Sequence, residues 1–296
     1  MKELLTVITP TYNRGNLLEN CYNSLKNQVD LNFEWLIIDD GSTDNTKDVV
    51  DKFISENIVP IRYIYKKNGG KHTALNIGFK EAKGELSLIL DSDDTLTKDA
   101  VRSIWEVWDK SKNINDISSI VFLRRYKNGE IIGDNFKEDM KVTNHIDIAF
   151  NNRVRGDKCE VYVTDILKQY QYPIFENEKF MSESVVWTQI GRKYRLICVN
   201  KPIYITEYLP GGLTKSGRKL RINCPLGGML FAKECIKDDI ILKYRIKNAM
   251  LYVCYGFFAK KKLSYMVNES GSKVLVFFMI PLGYTLYKYW NYKYKV

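Results

Sequence analysis

Asp91, Asp93 and Asp94 stand within four residues of one another, directly after the apolar run 86–90. Crowded carboxylates repel, so a chain that sets them at the end of a buried segment must supply water, cationic side chains or a metal ion to hold them. A calcium loop of the EF-hand kind needs Asp or Asn at its fifth position and Gly at its sixth, and Thr95 and Leu96 occupy those places. Capping of the next helix would use Asp94 or Thr95 and leaves the other acids unexplained. A hard divalent cation fits the spacing better, bound by one or two carboxylates and completed by phosphate oxygens and water. Phosphate in turn calls for positive groups. Neither G-x-G-x-x-G nor G-x-x-x-x-G-K-[ST] occurs, so a dinucleotide fingerprint and a P-loop are both excluded. Lys71 is one basic candidate. Lys215, Arg218 and Lys219 are others, in the Gly/Lys-rich stretch 209–219, which reads as a mobile loop. A solvated charged loop is the alternative for these three.

The elements that must position these groups are legible from periodicity. Strands are predicted over 4–9, 33–39, 61–66, 86–91 and 117–126, the last followed by a hairpin turn at 127–130. Helices are predicted over 16–28, within 40–57, over 71–83 and over 97–110. Alternation of strand and helix, with strands apolar on both faces, argues for an α/β fold with a mostly parallel sheet flanked by helices. In such sheets ligands bind at the carboxyl ends of the strands. Four polar clusters fall there: TPTYNR, DDGS, KNGGKH and DSDD.

Composition narrows the class. The chain has 296 residues, 45% of them apolar and 27% charged, with a formal net charge of +10. That balance suits a soluble globular protein with an anionic partner, or simply a lysine-rich surface. Nucleic acid explains the charge poorly, because the acids at the strand ends would repel its phosphates. Six scattered cysteines without a C-x-x-C pair, and two histidines, argue against a zinc site. The first ten residues read as a strand and not as a signal peptide, which makes cytoplasmic, reduced thiols the expectation.

The C-terminal region is helical and aromatic. The stretch 274–287 is shorter than the ~20 residues that span a bilayer, and Pro281 and Gly283 are expected to break it. From 260 to 296 the chain carries seven Lys against one Glu, with Trp290 and six Tyr. A basic, apolar, aromatic tail suits an anionic membrane surface, on the inner face of the cell membrane. A helical subdomain packed on the core or on a second subunit is the alternative.

TPTYNR, DDGST and DSDD, in this order and spacing, resemble the nucleotide-sugar domain of family 2 glycosyltransferases, which have the GT-A fold. The resemblance is dense over 1–110 and looser to about 215. It implies a catalytic domain over 1–215, with a nucleotide-sugar part (1–110) and an acceptor part (111–215), and a C-terminal helical region over 216–296. It also implies transfer with inversion from a UDP-sugar to a hydroxyl of a cell-surface glycan or lipid-linked acceptor. Carried over by position, Thr9, Pro10 and Tyr12 would frame the uracil, Asp40 would bind the base, and Asp91 would approach the ribose. Asp93 would ligate Mn²⁺ or Mg²⁺, with Ser92 between them and Asp94 in support. The family often places Arg before Asn76. Leu75 stands there, so Lys71 and His72 are the substitutes. Inversion needs a carboxylate base. The family usually has an E-D pair at a helix start; Glu183 matches, but Ser184 replaces the Asp. Asp157 and Glu160 are rivals for that role, and Trp187, one helical turn on, is an acceptor-side candidate or a core residue. A nucleotide-sugar-binding or scaffold protein without turnover is the runner-up. A nucleotidyltransferase would want a Gly-rich phosphate loop that is missing.

Overall fold

The computed structural model describes residues 4–207 and 213–295, the side chains of 213–216 excepted. Two compact units emerge. The first comprises Met1–Ala149, Arg153–Gln171 and Ile190–Glu207. The second comprises Phe150–Asn152, Tyr172–Gln189 and Tyr208–Val296. This division differs from a boundary at 215, because 172–189, with Glu183 and Trp187, groups with the C-terminal helices.

The first unit is built on a nine-stranded sheet. Strands β1 (Leu5–Thr11), β2 (Phe33–Asp39), β3 (Ile61–Tyr65) and β4 (Leu86–Ile89) run parallel in the order β3-β2-β1-β4. Helices α1 (Gly15–Lys26), α2 (Thr46–Glu56) and α3 (Lys71–Glu81) connect them. Beyond β4 the sheet takes in antiparallel strands as well. Strand β8 (Lys158–Val163) lies antiparallel between β4 and β6 (Ile117–Arg125). Strand β9 (Arg195–Ile205) then runs parallel to β6 and antiparallel to β5 (Thr95–Leu96) and β7 (Lys141–Thr143). The short β5 lies directly after the acids, in a stretch whose two residues give no periodicity to read.

Every residue of β1 and β2 is buried, as a strand covered on both faces requires. On one face Leu5, Val7, Trp35 and Ile37 meet Leu18, Tyr22 and Leu25 of α1 and Val50 and Phe53 of α2. The Tyr22 and Phe53 rings stack at 4.2 Å, a contact worth about 0.5–1.5 kcal/mol beyond its buried area. On the other face α3 lies against Ile8 and Ile38 through Gly78. Helix α4 (Ala100–Ser111) buries Val101, Ile104, Trp105 and Trp108, at helical spacing, into the first face. The turn at 127–130 forms as expected, with Gly129 at φ +94° and a bridge from Arg125 to Ile131.

The second unit is helical. It contains α7 (Leu213–Asn223), α8 (Pro225–Glu234), α9 (Leu242–Phe258), α10 (Leu263–Glu269) and α11 (Lys273–Tyr294). Part of the stretch expected to be a mobile loop is therefore helix, kinked at Gly217; residues 208–212 lie outside the described residues. Helix α11 is continuous through Pro281, contrary to the expected break. Its packing on α9 outweighs the lost hydrogen bond. Gly283 is what permits the approach: a Cβ there would lie 2.6 Å from Val253 Cβ. Among the described residues no helix is long and apolar enough to cross a membrane.

Candidate functional site

The carboxyl ends of β1 to β4 gather the polar turns, and hydrogen bonds lock them together. The Asp40 amide donates to Thr11 O at 2.8 Å, and the Lys66 amide donates to Asp39 O at 2.9 Å. Asn13 Oδ1 accepts from the Thr43 amide at 2.7 Å, while the Asn13 amide donates to Ser42 Oγ at 2.8 Å. Gly41 turns at φ +87°, where a Cβ would sit 2.7 Å from the Asn68 nitrogen.

Within this frame Thr9 is fully buried and its hydroxyl accepts from Trp35 Nε1 at 2.8 Å, so it supports the turn from below. Pro10 is buried, whereas Tyr12 is 47% exposed. Thr11 Oγ1 is buried without a hydrogen-bond partner among the described residues. Asp39 accepts from Tyr63 Oη at 2.6 Å and from the Ser42 amide at 2.7 Å. Asp40 is consumed by the loop before α3. Its Oδ1 accepts from Lys66 Nζ at 2.5 Å and the Gly69 amide at 2.9 Å. Its Oδ2 accepts from Asn68 Nδ2 at 3.1 Å and the Gly70 amide at 2.7 Å. Asn76 is half-buried on α3.

The acids form a β-turn, with the Asp94 amide donating to Asp91 O at 3.0 Å. Exposure alternates: Ser92 and Asp94 point inward, and Asp91 and Asp93 are only partly covered. Each acid has a cation of its own. Lys71 Nζ lies 2.6 Å from Asp91 Oδ1, Arg14 Nη1 lies 2.8 Å from Asp93 Oδ2, and Arg124 Nη1 lies 3.9 Å from Asp94 Oδ2. Burial pushes the Asp91 carboxyl up, but Lys71, Arg124 and Arg14 together hold it below its usual range. Asp94 goes the other way, pushed up to about 7 by burial and the neighbouring Asp91 charge. Beneath the turn, the Asp91 amide donates to the Tyr204 hydroxyl at 2.9 Å, and the Arg124 guanidinium lies 4.0 Å over the Tyr204 ring.

Among the described residues no group of three or more His, Cys, Asp or Glu could cage an ion unaided. The donor set does fit a hard cation shared with a ligand's phosphates, since one or two carboxylates then suffice. Asp93, with a side chain 17% exposed, and Asp91 are the residues that would hold it.

Asp157 is exposed and Glu160 lies on β8, both in the first unit. Glu183 opens α6 (Ser184–Gly191), with its carbonyl accepting from the Val186 and Trp187 amides, and it belongs to the second unit. Trp187 is 6% exposed. Arg218 lies over the Trp290 ring at 5.0 Å, and Lys219 is exposed on α7. The Lys215 side chain lies outside the described residues. Sequence reading missed Arg14, although it is part of TPTYNR, and also Lys66. It had no means of finding Arg124 and Tyr204, which reach the acids only through sheet pairing.

Residues 6–164 match the family described as glycosyl transferase family 2. Among curated relatives, glycosyltransferase GlyG of Streptococcus pneumoniae is 36% identical over 107 residues, covering 36% of this chain and 35% of the relative. Chondroitin synthase of Pasteurella multocida is 30% identical over 171 residues, covering 52% of this chain and 18% of the synthase. The matches thus span about a third or less of those relatives' length. Among solved structures, S. aureus TarS 1–349 in complex with UDP-GlcNAc superposes with a TM-score of 0.69 at 20% identity, covering 100% of this chain and 92% of that one. A mannosyltransferase of Pyrobaculum calidifontis, in complex with GDP-Man and Mn²⁺, superposes with a TM-score of 0.57 at 14% identity, covering 96% and 86%. With more than half of the chain matched by the family and the α/β architecture shared with these structures, the chain belongs to glycosyl transferase family 2 and has the GT-A fold.

Proposed function

We propose that this protein transfers a sugar, with inversion, from a UDP-sugar to a hydroxyl of a cell-surface glycan or lipid-linked acceptor, and that it does so with Mn²⁺ or Mg²⁺. The observation that carries this reading is the convergence at one sheet edge of an exposed aromatic ring, Tyr12, with a turn of partly open carboxylates flanked by Lys71 and Arg14. An aromatic face suits a nucleobase, and paired cations and carboxylates suit a metal-bound diphosphate. The UDP-GlcNAc complex of the TarS neighbour supports the same donor class.

In this reading Tyr12 packs on the uracil while Asp40 fixes the loop that delivers Lys71. Asp91 orients Lys71 and lies toward the ribose. Asp93, with Asp91, would hold the ion, and Asn76 and Ser92 line the same end of the sheet. When bound, the ion stabilises the departing diphosphate as a Lewis acid. Glu183 takes the proton from the attacking acceptor hydroxyl.

The C-terminal helices carry a second surface. The outer face of α11 exposes Val274, Phe277, Phe278, Leu282, Tyr289 and Tyr292, a stripe at helical spacing. Lys273, Lys288 and Lys293 accompany it. Apolar side chains framed by lysines suit an anionic membrane surface, such as one that carries a lipid-linked acceptor.

The test is UDP release from a panel of UDP-sugars with Mn²⁺, with and without a lipid-linked acceptor. Asp93→Asn should abolish metal-stimulated release. Glu183→Gln should keep donor binding and lose transfer by at least 100-fold, within the range general-base catalysis contributes. Normal transfer by Glu183→Gln would remove Glu183 as the base. UDP-sugar binding without turnover by the native protein under every condition would favour a binding or scaffold role.

A further inference from the structure

Arg14 occupies the carboxylate that the donor-site reading assigns to the ion. Its Nη1 sits 2.8 Å from Asp93 Oδ2 and 3.5 Å from Ser92 Oγ. Arg14 immediately precedes α1, and Lys71, on Asp91, opens α3. A cation at a helix N-terminus is in the unfavourable field of the helix dipole. Both cations are held by the acids, while the first amide of α1, that of Gly15, already donates to Asp44 Oδ2 at 3.1 Å.

We propose that Arg14 is an internal counter-ion that blocks metal binding at Asp93 until an anionic diphosphate enters. This inference rests on the donor-site reading above. A divalent ion arriving alone must displace a charge-assisted pair and leave Arg14 unpartnered beside new positive charge. An ion arriving with a nucleoside diphosphate brings an anion for Arg14 to turn to, so Asp93 is released without stranding a cation. Ion and diphosphate then bind with positive coupling, and by linkage each strengthens the other equally. Arg14 acts through Asp93 and is a positioning residue.

The experiment measures Mn²⁺ binding by electron paramagnetic resonance on the full chain, without and with UDP, and without turnover. Native protein should bind Mn²⁺ alone weakly. Arg14→Gln should bind Mn²⁺ alone roughly tenfold more tightly, and UDP should improve its Mn²⁺ affinity less than it does for the native protein. Arg14→Lys, which keeps the charge, should stay near native. Equal Mn²⁺ affinity of native and Arg14→Gln proteins in the absence of UDP overturns the proposal, as does tighter binding by Arg14→Lys to the same degree as Arg14→Gln. A native protein that binds Mn²⁺ in neither condition refutes the donor-site reading itself. Unfolding midpoints of both variants within a degree or two of native show that the comparison is between folded proteins.

Discussion

Asp40→Asn tests whether the second acid of DDGS acts on the loop or on a ligand. The native carboxylate is 3% exposed and accepts four hydrogen bonds, two at each oxygen. An amide presents one oxygen and one NH₂, so two of the four donors lose their acceptor whichever way it is turned. Lys66, which also donates to Thr73 Oγ1, loses its counter-charge. At about 1.5–3 kcal/mol for each bond to a charged group, the loss of two is on the order of 3–6 kcal/mol. It falls on residues 66–70, which lead into Lys71. Local opening is read by amide hydrogen exchange. A cost near 3 kcal/mol speeds exchange at the Gly69 and Gly70 amides about 100-fold, at 1.4 kcal/mol per factor of ten. The strands β1 and β2 should be unaffected. If exchange over 66–73 stays native while UDP affinity collapses, the loop-fixing role is wrong and the side chain acts on the base directly.

Three further outcomes follow from the same structure. Replacing both Phe277 and Phe278 by Glu should remove binding to vesicles containing anionic lipid and leave donor hydrolysis in solution unchanged; undiminished co-sedimentation would reject α11 as the contact. Burial, with the Arg192 charge, pushes the His145 imidazole down to about 4 from 6.5. The unfolded chain then takes up a proton between about pH 6.5 and 4 that the folded chain refuses, so stability is lost as pH falls through that window. His145→Asn should flatten this fall in unfolding midpoints, and an unchanged slope would show that other groups carry it. Gly283→Leu should destabilise the helical unit by more than about 2 kcal/mol in urea unfolding, because the added side chain collides with Val253; a near-native midpoint would mean that α11 can shift on α9.

The sequence by itself determined the parts whose causes are local. Strand 33–39 is legible to the residue, because a run apolar on both faces between polar turns has few other uses. Helix α1 follows from Leu18, Cys21, Tyr22 and Leu25 at helical spacing. Adjacency of the four polar clusters also follows, since parallel strands joined by helices end on the same edge. What only the tertiary structure decided depends on partners distant in the chain. The reversal of direction at β8 comes from pairing of β4 with a strand some 70 residues on, which no local pattern encodes. The continuity of α11 depends on Val253 lying where Gly283 leaves room, so the helix outlasts Pro281 although the local rule predicts a break. The roles of the acids divide the same way. Sequence showed that Asp91, Asp93 and Asp94 must be neutralised; folding assigned Lys71, Arg14 and Arg124 to them, one each. Charge balance is a demand that composition can state. Which cation meets which acid is set by distance, and distance is a property of the fold.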